Sequence, residues 1–166
     1  EMKSTGEVMG VDYTFESAAT KALISAGLSI PLGGSILLSI ADKNKSEAIP
    51  MLKILASANC KLYATEGTAA LIKKTGMSVV DVPKRLNEGH PNVVDVIMDG
   101  TVDAVVNTVT GDRESMQDGF EIRRAAAERR VPCFTSIDTA RAAIENLTGS
   151  HEKYNVKPLD SYVKHS

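Results

Sequence analysis

Short apolar runs alternate with longer amphipathic stretches from Ser35 onward. Most of the runs lack a regular alternation with polar side chains, which is typical of strands that are covered on both faces. The runs predict five strands, at residues 36–40, 61–64, 79–82, 104–107 and 132–135.

Between these runs, apolar residues recur at helical spacing. The predicted helices lie at residues 46–58, 68–75, 92–99, 115–129 and 139–147. Pro50 falls inside the first of them, which is tolerable if that helix begins close to Pro50. Alternating strands and helices predict an α/β fold, a doubly wound, mainly parallel five-stranded sheet with helices on both faces.

The first thirty-four residues do not look like the start of an independent domain. Residues 4–10 are punctuated by glycine, and residues 15–23 have apolar positions at helical spacing, with Gly27 as the expected C-cap. We therefore divide the chain into a connecting segment at 1–34 that closes a preceding domain, an α/β domain at 35–149, and a C-terminal tail at 150–166.

The turn between the second predicted strand and the helix after it has the chemistry of an anion site. Thr65 and Thr68 offer hydroxyl groups, and Gly67 lets a ligand approach the backbone closely because it has no Cβ. The free N–H groups and the positive dipole end of the helix point to the same place. The alternative is that Thr65 is an ordinary N-cap.

Other polar residues follow the carboxyl ends of the predicted strands, where sheets of this type bind ligands. Hydroxyls, an amide and several cations are the groups that a phosphorylated small molecule needs. These residues are Ser39, Asp42, Lys43, Lys45, Thr65, Thr68, Lys84, Arg85, Asn107, Thr108, Thr110, Asp112 and Arg113. The alternative is that they are ordinary polar loop residues. Asp118, Arg123 and Arg124 form a further cluster on a predicted helix, and we interpret Arg124 as a solvated surface charge.

Composition and motifs exclude several classes of function. The 166 residues carry a net charge of −2, which gives no reason to propose nucleic acid or a membrane as partner. With no apolar run of membrane-spanning length and no signal peptide, we expect a cytoplasmic protein. Cys60 and Cys133 are predicted to be buried thiols and the histidines surface residues, so no metal site is predicted. No dinucleotide motif, P-loop or nucleophile elbow is present, and no catalytic residue stands out.

Five stretches carry a family resemblance: LSIADK at 38–43, ATEGTA at 64–69, NEGHPN at 87–92, VNTVTG at 106–111 and DGFEIRR at 118–124. In this order they resemble the methylglyoxal-synthase-like domain at the C-terminus of the carbamoyl-phosphate synthase large subunit. Residues 3–10 resemble the segment that closes the second ATP-grasp half of that subunit. The resemblance covers residues 1–147 and does not extend to the tail after Gly149.

The resemblance implies the allosteric, regulatory end of an enzyme that makes carbamoyl phosphate from glutamine, bicarbonate and ATP, for pyrimidine and arginine synthesis. It implies a nucleotide or another phosphorylated effector as ligand, with UMP as the usual inhibitor. The implied partners are the rest of the large subunit, the glutaminase small subunit and further copies of the subunit. ATP with Mg²⁺ or Mn²⁺ is implied for the full-length enzyme, and no cofactor for this segment.

The resemblance also assigns the effector site. Its phosphate and effector pocket corresponds to Ser39, Lys45, Thr65, Thr68, Lys84 and Asn107, with Thr108, Thr110 and Asp118 close by, and we add Gly67 from the turn described above. Val109 stands where some relatives have a second threonine, which removes one donor. Cys133 stands where enteric bacterial relatives have a tyrosine near the ornithine site, which removes the ground for expecting activation by ornithine.

Two other classes of function remain as alternatives. One is a stand-alone enzyme of the same superfamily. Methylglyoxal synthase has a Gly-Gly-Asp whose carboxylate is the catalytic base, whereas this chain has Gly89-His90-Pro91-Asn92 and no acid there. The IMP cyclohydrolase type has a later Lys-Thr-Leu-His stretch that is missing here. The other alternative is an oligomerisation module, with which apolar helix faces are compatible.

Overall fold

The secondary structure follows the order that the hydrophobic pattern predicts. The computed structural model describes residues 7–84, 89–108, 113–148 and 156–162, with only the backbone described at 16, 113–116 and 146–148. The strands are β1 (Ser35–Ser39), β2 (Lys61–Ala64), β3 (Val80–Asp81), β4 (Ala104–Asn107) and β5 (Cys133–Phe134). The helices are α1 (Phe15–Ser25), α2 (Lys45–Ser57), α3 (Glu66–Lys74), α4 (Val93–Met98), α5 (Arg113–Arg129) and α6 (Ile137–Thr148). Short 3₁₀ turns span Asp42–Asn44 and Leu159–Tyr162.

The five strands form one parallel sheet in the order β3-β2-β1-β4-β5. The central strand β1 pairs with β2 on one side, where Leu37 lies beside Tyr63, and with β4 on the other, where Ser39 lies beside Asn107. The chain winds outward from β1 to β3 and then returns to β4, so the strand order reverses between β1 and β4. The predicted fold class is confirmed, and this reversal is the position at which such sheets bind ligands.

Helices cover both faces of the sheet because neighbouring strand residues point to opposite sides. Leu38 and other residues of its face pack against α2, α3 and α6, whereas Leu37 packs against α4 and α5. Both side chains are fully buried. Burying an aliphatic side chain of this size contributes about 1.5–3 kcal/mol, so a strand with two buried faces is strongly held in its register.

Helix α1 lies outside this repeating pattern and packs against α6. The Thr14 side chain accepts a hydrogen bond from the Ser17 backbone N–H at 3.2 Å and caps its N-terminus. The C-cap is Ala26, and Gly27, which we predicted as the C-cap, follows it with a φ of +69°, because a left-handed residue lets the chain leave the helix. The domain boundary at residue 34 stays a prediction.

Two local predictions need correction. α2 begins at Lys45, so Pro50 lies five residues inside the helix and not near its start. The observed start lies one residue before the predicted start at residue 46, directly after the 3₁₀ turn Asp42–Asn44. Cys60 and Cys133 are free but half-buried, whereas we predicted buried thiols. Their partial burial still raises the pKa of both thiols.

Candidate functional site

The candidate site lies where β1, β2 and β4 end side by side. The backbone N–H of Thr65, just after β2, donates to the carbonyl of Leu38 at 3.1 Å, and the N–H of Thr108, just after β4, donates to the carbonyl of Ser39 at 3.0 Å. Sheet pairing therefore continues through these positions. It brings the buried residues Ser39, Thr65 and Thr108 to one edge of the sheet, as the sequence predicts.

Two threonine hydroxyls hold the chain as it leaves β1. The Ile40 N–H donates to Thr68 Oγ1 at 3.0 Å, and the Ala41 N–H donates to Thr108 Oγ1 at 2.8 Å. Thr68 and Thr108 are buried, and each satisfies a backbone donor that the sheet leaves unpaired. The two hydroxyls thus have a structural role in holding the chain after β1.

Thr65 occupies the N-cap position of α3, but its side chain makes no capping hydrogen bond. Its Oγ1 lies at 3.5 Å from Thr68 Oγ1, which is a long contact. Helix geometry leaves the N–H groups of Glu66 and Gly67 without a partner inside α3. The structure therefore does not support the interpretation of Thr65 as an ordinary N-cap, because its hydroxyl leaves the N–H groups at the positive end of α3 uncapped.

Lys45 lies over this open helix end. A Cβ built on Gly67 would lie 3.1 Å from Lys45 Nζ, so the ammonium group rests against the backbone of the first turn of α3. Asp42 Oδ1 lies 2.7 Å from the same Nζ. The Lys45 side chain is 26% exposed and that of Asp42 is 90% exposed. The hydrogen bond from Lys45 lowers the pKa of Asp42.

A second cation lies farther along the same edge. Lys84 follows β3, and its Nζ lies 3.3 Å from Asp118 Oδ2 on α5. Both side chains are half-buried, at 34% and 21% exposed. Since β3 and α5 belong to opposite halves of the sheet, this ion pair joins the two halves across the strand ends.

Asn107 supports α5 from the end of β4. Its Nδ2 donates to the Gly119 carbonyl at 3.3 Å, and the residue is buried. Thr110, which we assigned to the site, lies outside the described residues, as do Arg85 and Asp112. Arg124 is a surface charge, as we interpreted it from the sequence. Its side chain is 61% exposed, and its Nε lies 3.3 Å from Glu128 Oε1.

A polar cluster around the buried Asn92 at the start of α4 was not predicted. Asn92 is 0% exposed, and its side chain accepts hydrogen bonds from the backbone N–H groups of Val94 and Asp95. Asp95 Oδ2 accepts the Asn92 N–H at 2.9 Å and lies 2.5 Å from Nδ1 of the exposed His90. The Asn92 hydrogen bond, followed by that of His90, lowers the pKa of Asp95. The Asn-x-x-Asp spacing is the sequence signal that predicts such a capping box.

The described part of the chain contains neither a metal-binding group of side chains nor a membrane-spanning helix. Within residues 7–84, 89–108, 113–148 and 156–162, no three His, Cys, Asp or Glu side chains are grouped to hold a metal ion. In that part of the chain, no helix has both the length and the apolar character needed to cross a membrane.

Comparison with known proteins agrees with this fold. A sequence model of the MGS-like domain matches residues 47–135, which is more than half of the chain. The carbamoyl phosphate synthase large chain of Thermomicrobium roseum is 46% identical over 162 residues, which are 98% of this chain and 15% of that protein. The C-terminal section of the carbamoyl phosphate synthase large chain of Methanopyrus kandleri is 41% identical over 153 residues, covering 92% of this chain and 28% of that protein. The chain therefore spans a minor part of these relatives, and it belongs to the MGS-like domain family.

Proposed function

We propose that this chain is the effector-binding regulatory domain of a carbamoyl phosphate synthase large chain. The observation that carries the proposal is the open N-terminus of α3 with the Lys45 ammonium group directly above it. A helix N-terminus and a cation that point to one place attract a phosphate group, and a dianionic monoester gains most from both.

The proposed ligand is a nucleoside monophosphate, with UMP as the first candidate. Lys45 and Lys84 supply charge, whereas Thr65 and the N–H groups of Glu66 and Gly67 supply directional hydrogen bonds. Ser39, Thr68, Asn107, Thr108, Thr110 and Asp118 complete the proposed site. A ligand that binds one conformation of the protein more tightly than another changes the population of the two, which is how such a site regulates a distant reaction.

The proposed assembly includes the rest of the large chain and a glutaminase small subunit. Other parts of the protein would bind ATP with Mg²⁺ or Mn²⁺, and the product would enter pyrimidine and arginine synthesis. The relatives support this assembly by name, since both are carbamoyl phosphate synthase large chains.

We further propose that this segment is not itself a lyase. Among the described residues, Asp95 is the acid nearest in sequence to the stretch where a methylglyoxal synthase carries its base, and its carboxylate caps α4 and contacts His90. A lowered pKa makes Asp95 a weak base at neutral pH. Purified protein should therefore form no methylglyoxal from dihydroxyacetone phosphate. Turnover that is lost in Asp95→Asn would contradict the proposal.

Calorimetric titration with UMP tests the site. Thr65→Ala and Lys84→Ala should each weaken binding by about 1–3 kcal/mol, because each removes one donor to a charged ligand. The matched control is Arg124→Ala, which removes a cation on the solvent face of α5 and should change binding little. Binding should also weaken at high salt and below the second phosphate pKa of about 6.

The control variant makes the test decisive. If UMP binds equally well to Thr65→Ala and Lys84→Ala, or if binding is lost only in Arg124→Ala, the site is wrong. If neither UMP nor inorganic phosphate binds the wild-type protein, the proposed function itself is wrong.

A further inference from the structure

Lys45 and Lys84, the two cations of the proposed effector site, each pair with a carboxylate in the structure. Lys45 pairs with Asp42 at 2.7 Å, and Lys84 pairs with Asp118 at 3.3 Å. A phosphate that arrives at either ammonium group meets a charge that is already balanced. The affinity of the site for anions therefore depends on how easily each carboxylate leaves.

The two ion pairs differ in what else the carboxylate does. Asp118 is half-buried and joins α5 to the chain after β3, so its loss affects the link between the two halves of the sheet. Asp42 lies on the 3₁₀ turn after β1, 90% exposed, and its hydrogen bond with Lys45 is the largest cause of its lowered pKa. The Asp42 carboxylate can therefore separate from Lys45 without breaking a contact between distant parts of the chain.

The position of Lys45 distinguishes its pair with Asp42 from an ordinary surface ion pair. An ordinary surface pair has two solvated side chains whose attraction is small. Lys45 is instead three-quarters covered and rests against Gly67, where the uncapped N–H groups of α3 point. The Asp42 carboxylate thus neutralises the same ammonium group that an anion bound to α3 would contact.

We propose that Asp42 is an internal competitor of the anionic ligand: its carboxylate holds Lys45 in the ligand-free protein and is displaced into solvent when a phosphate binds at the N-terminus of α3. This proposal rests on the proposed function, because it concerns the same site. It assigns Asp42 the task of lowering affinity for anions, so that only a ligand with enough additional contacts replaces it.

Calorimetric titration of the whole chain with inorganic phosphate and with UMP tests this role. Asp42→Asn removes the competing charge and keeps the size of the side chain. It should bind inorganic phosphate on the order of 3- to 10-fold more tightly than the wild type, because the Lys45 charge becomes available. The gain should be similar for UMP, because separating Asp42 from Lys45 costs the same free energy whichever ligand replaces it.

The matched control is Glu47→Gln in the first turn of α2. Glu47 is also exposed and acidic, but its carboxylate accepts a hydrogen bond from Asn44 at 3.3 Å. Both variants change the net charge by the same amount, so a general electrostatic effect would change their phosphate affinities equally. We expect Glu47→Gln to change phosphate affinity by less than about 2-fold, since exposed charges act weakly at a distance.

Each outcome decides the proposal. A selective gain in Asp42→Asn supports it, including the case in which this variant binds phosphate and the wild type does not. Equal gains in both variants, no gain, or weaker binding in Asp42→Asn overturns it, and in the last case Asp42 is a ligand contact. If the wild type binds UMP and Asp42→Asn matches it for both ligands, only the competitor role fails. If no variant binds any anion, the proposed function fails as well.

Discussion

Gly67 serves two purposes at one position, since it is the second residue of α3 and the backbone against which Lys45 rests. The substitution Gly67→Ala should therefore increase the stability of the protein and decrease its affinity for phosphate. The variant should raise the free energy of unfolding by about 0.5–1 kcal/mol, because alanine favours a helix. It should also weaken phosphate binding, because a Cβ at 3.1 Å pushes Lys45 Nζ away and covers the open N–H groups.

Urea denaturation and calorimetry measure the two effects separately. Ala70→Gly is the matched control, because it lies at an exposed position of the same helix and changes helix propensity without approaching Lys45. It should lower stability by about 1 kcal/mol and leave phosphate binding unchanged. Gly67→Ala protein with undiminished affinity would show that the ligand does not use this part of α3.

Residue types at the strand ends were predictable from the sequence, but their hydrogen-bond partners were not. Hydroxyl groups at Thr68 and Thr108 could be expected near a ligand from position alone. That they accept the N–H groups of Ile40 and Ala41 depends on side-chain directions, which no spacing shows. The short distance between Asp42 and Lys45 is similarly a product of the 3₁₀ turn, which the sequence pattern does not predict.

Among the helices, α4 is the shortest of those described, with six residues, and it depends on its cap. Asn92→Ala removes two hydrogen bonds to the first turn and leaves a buried space. The variant should lower the free energy of unfolding by about 1–2 kcal/mol. Asn44→Ala is the control, because Asn44 precedes α2 without a capping hydrogen bond and should cost a few tenths of that value. Equal losses in urea denaturation would contradict a specific role for the cap.

The existence of each strand was predictable, whereas the lengths of the edge strands were not. β3 and β5 pair on one side only and contain two residues each, so tertiary contacts decide where they end. The start of α3 was predicted at residue 68, and the helix begins at Glu66. The N-cap alternative for Thr65 predicts this first residue, whereas the apolar spacing alone does not.

On the scale of the whole molecule, one ionic and aromatic cluster joins the two ends of the described chain. Lys21 Nζ lies 2.8 Å from Asp12 and also contacts the Tyr162 hydroxyl at 3.1 Å. The Tyr13 hydroxyl donates to the Ser161 carbonyl at 2.8 Å. Contacts across 148 positions are not visible in one sequence, although the sheet itself follows from its alternating pattern.

This cluster predicts a pH dependence. The hydrogen bond from Lys21, and then that from the Tyr13 N–H, lowers the pKa of Asp12 below the value near 3.9 of an unfolded chain. Its stabilising contribution is therefore fully present above about pH 4 and is lost as the pH falls through the lower folded value. Asp12→Asn should be less stable than the wild type at pH 6, and the difference should shrink towards pH 2.5.

Denaturant titrations of both proteins across this range measure the difference in the free energy of unfolding. A difference that stays constant from pH 6 to pH 2.5 would show that Asp12 acts through packing and not through its charge.

The turn after β1 is hydrogen-bonded on both sides. Its two successive N–H groups donate to the hydroxyl of Thr68 in α3 and to the hydroxyl of Thr108 after β4. Asp42 and Lys45 follow this turn directly, so the position of the turn determines where both side chains lie. The turn is therefore hydrogen-bonded to both halves of the sheet. In the proposed site, a ligand that moves Asp42 or Lys45 therefore acts on a turn whose backbone is hydrogen-bonded to elements on both sides of β1.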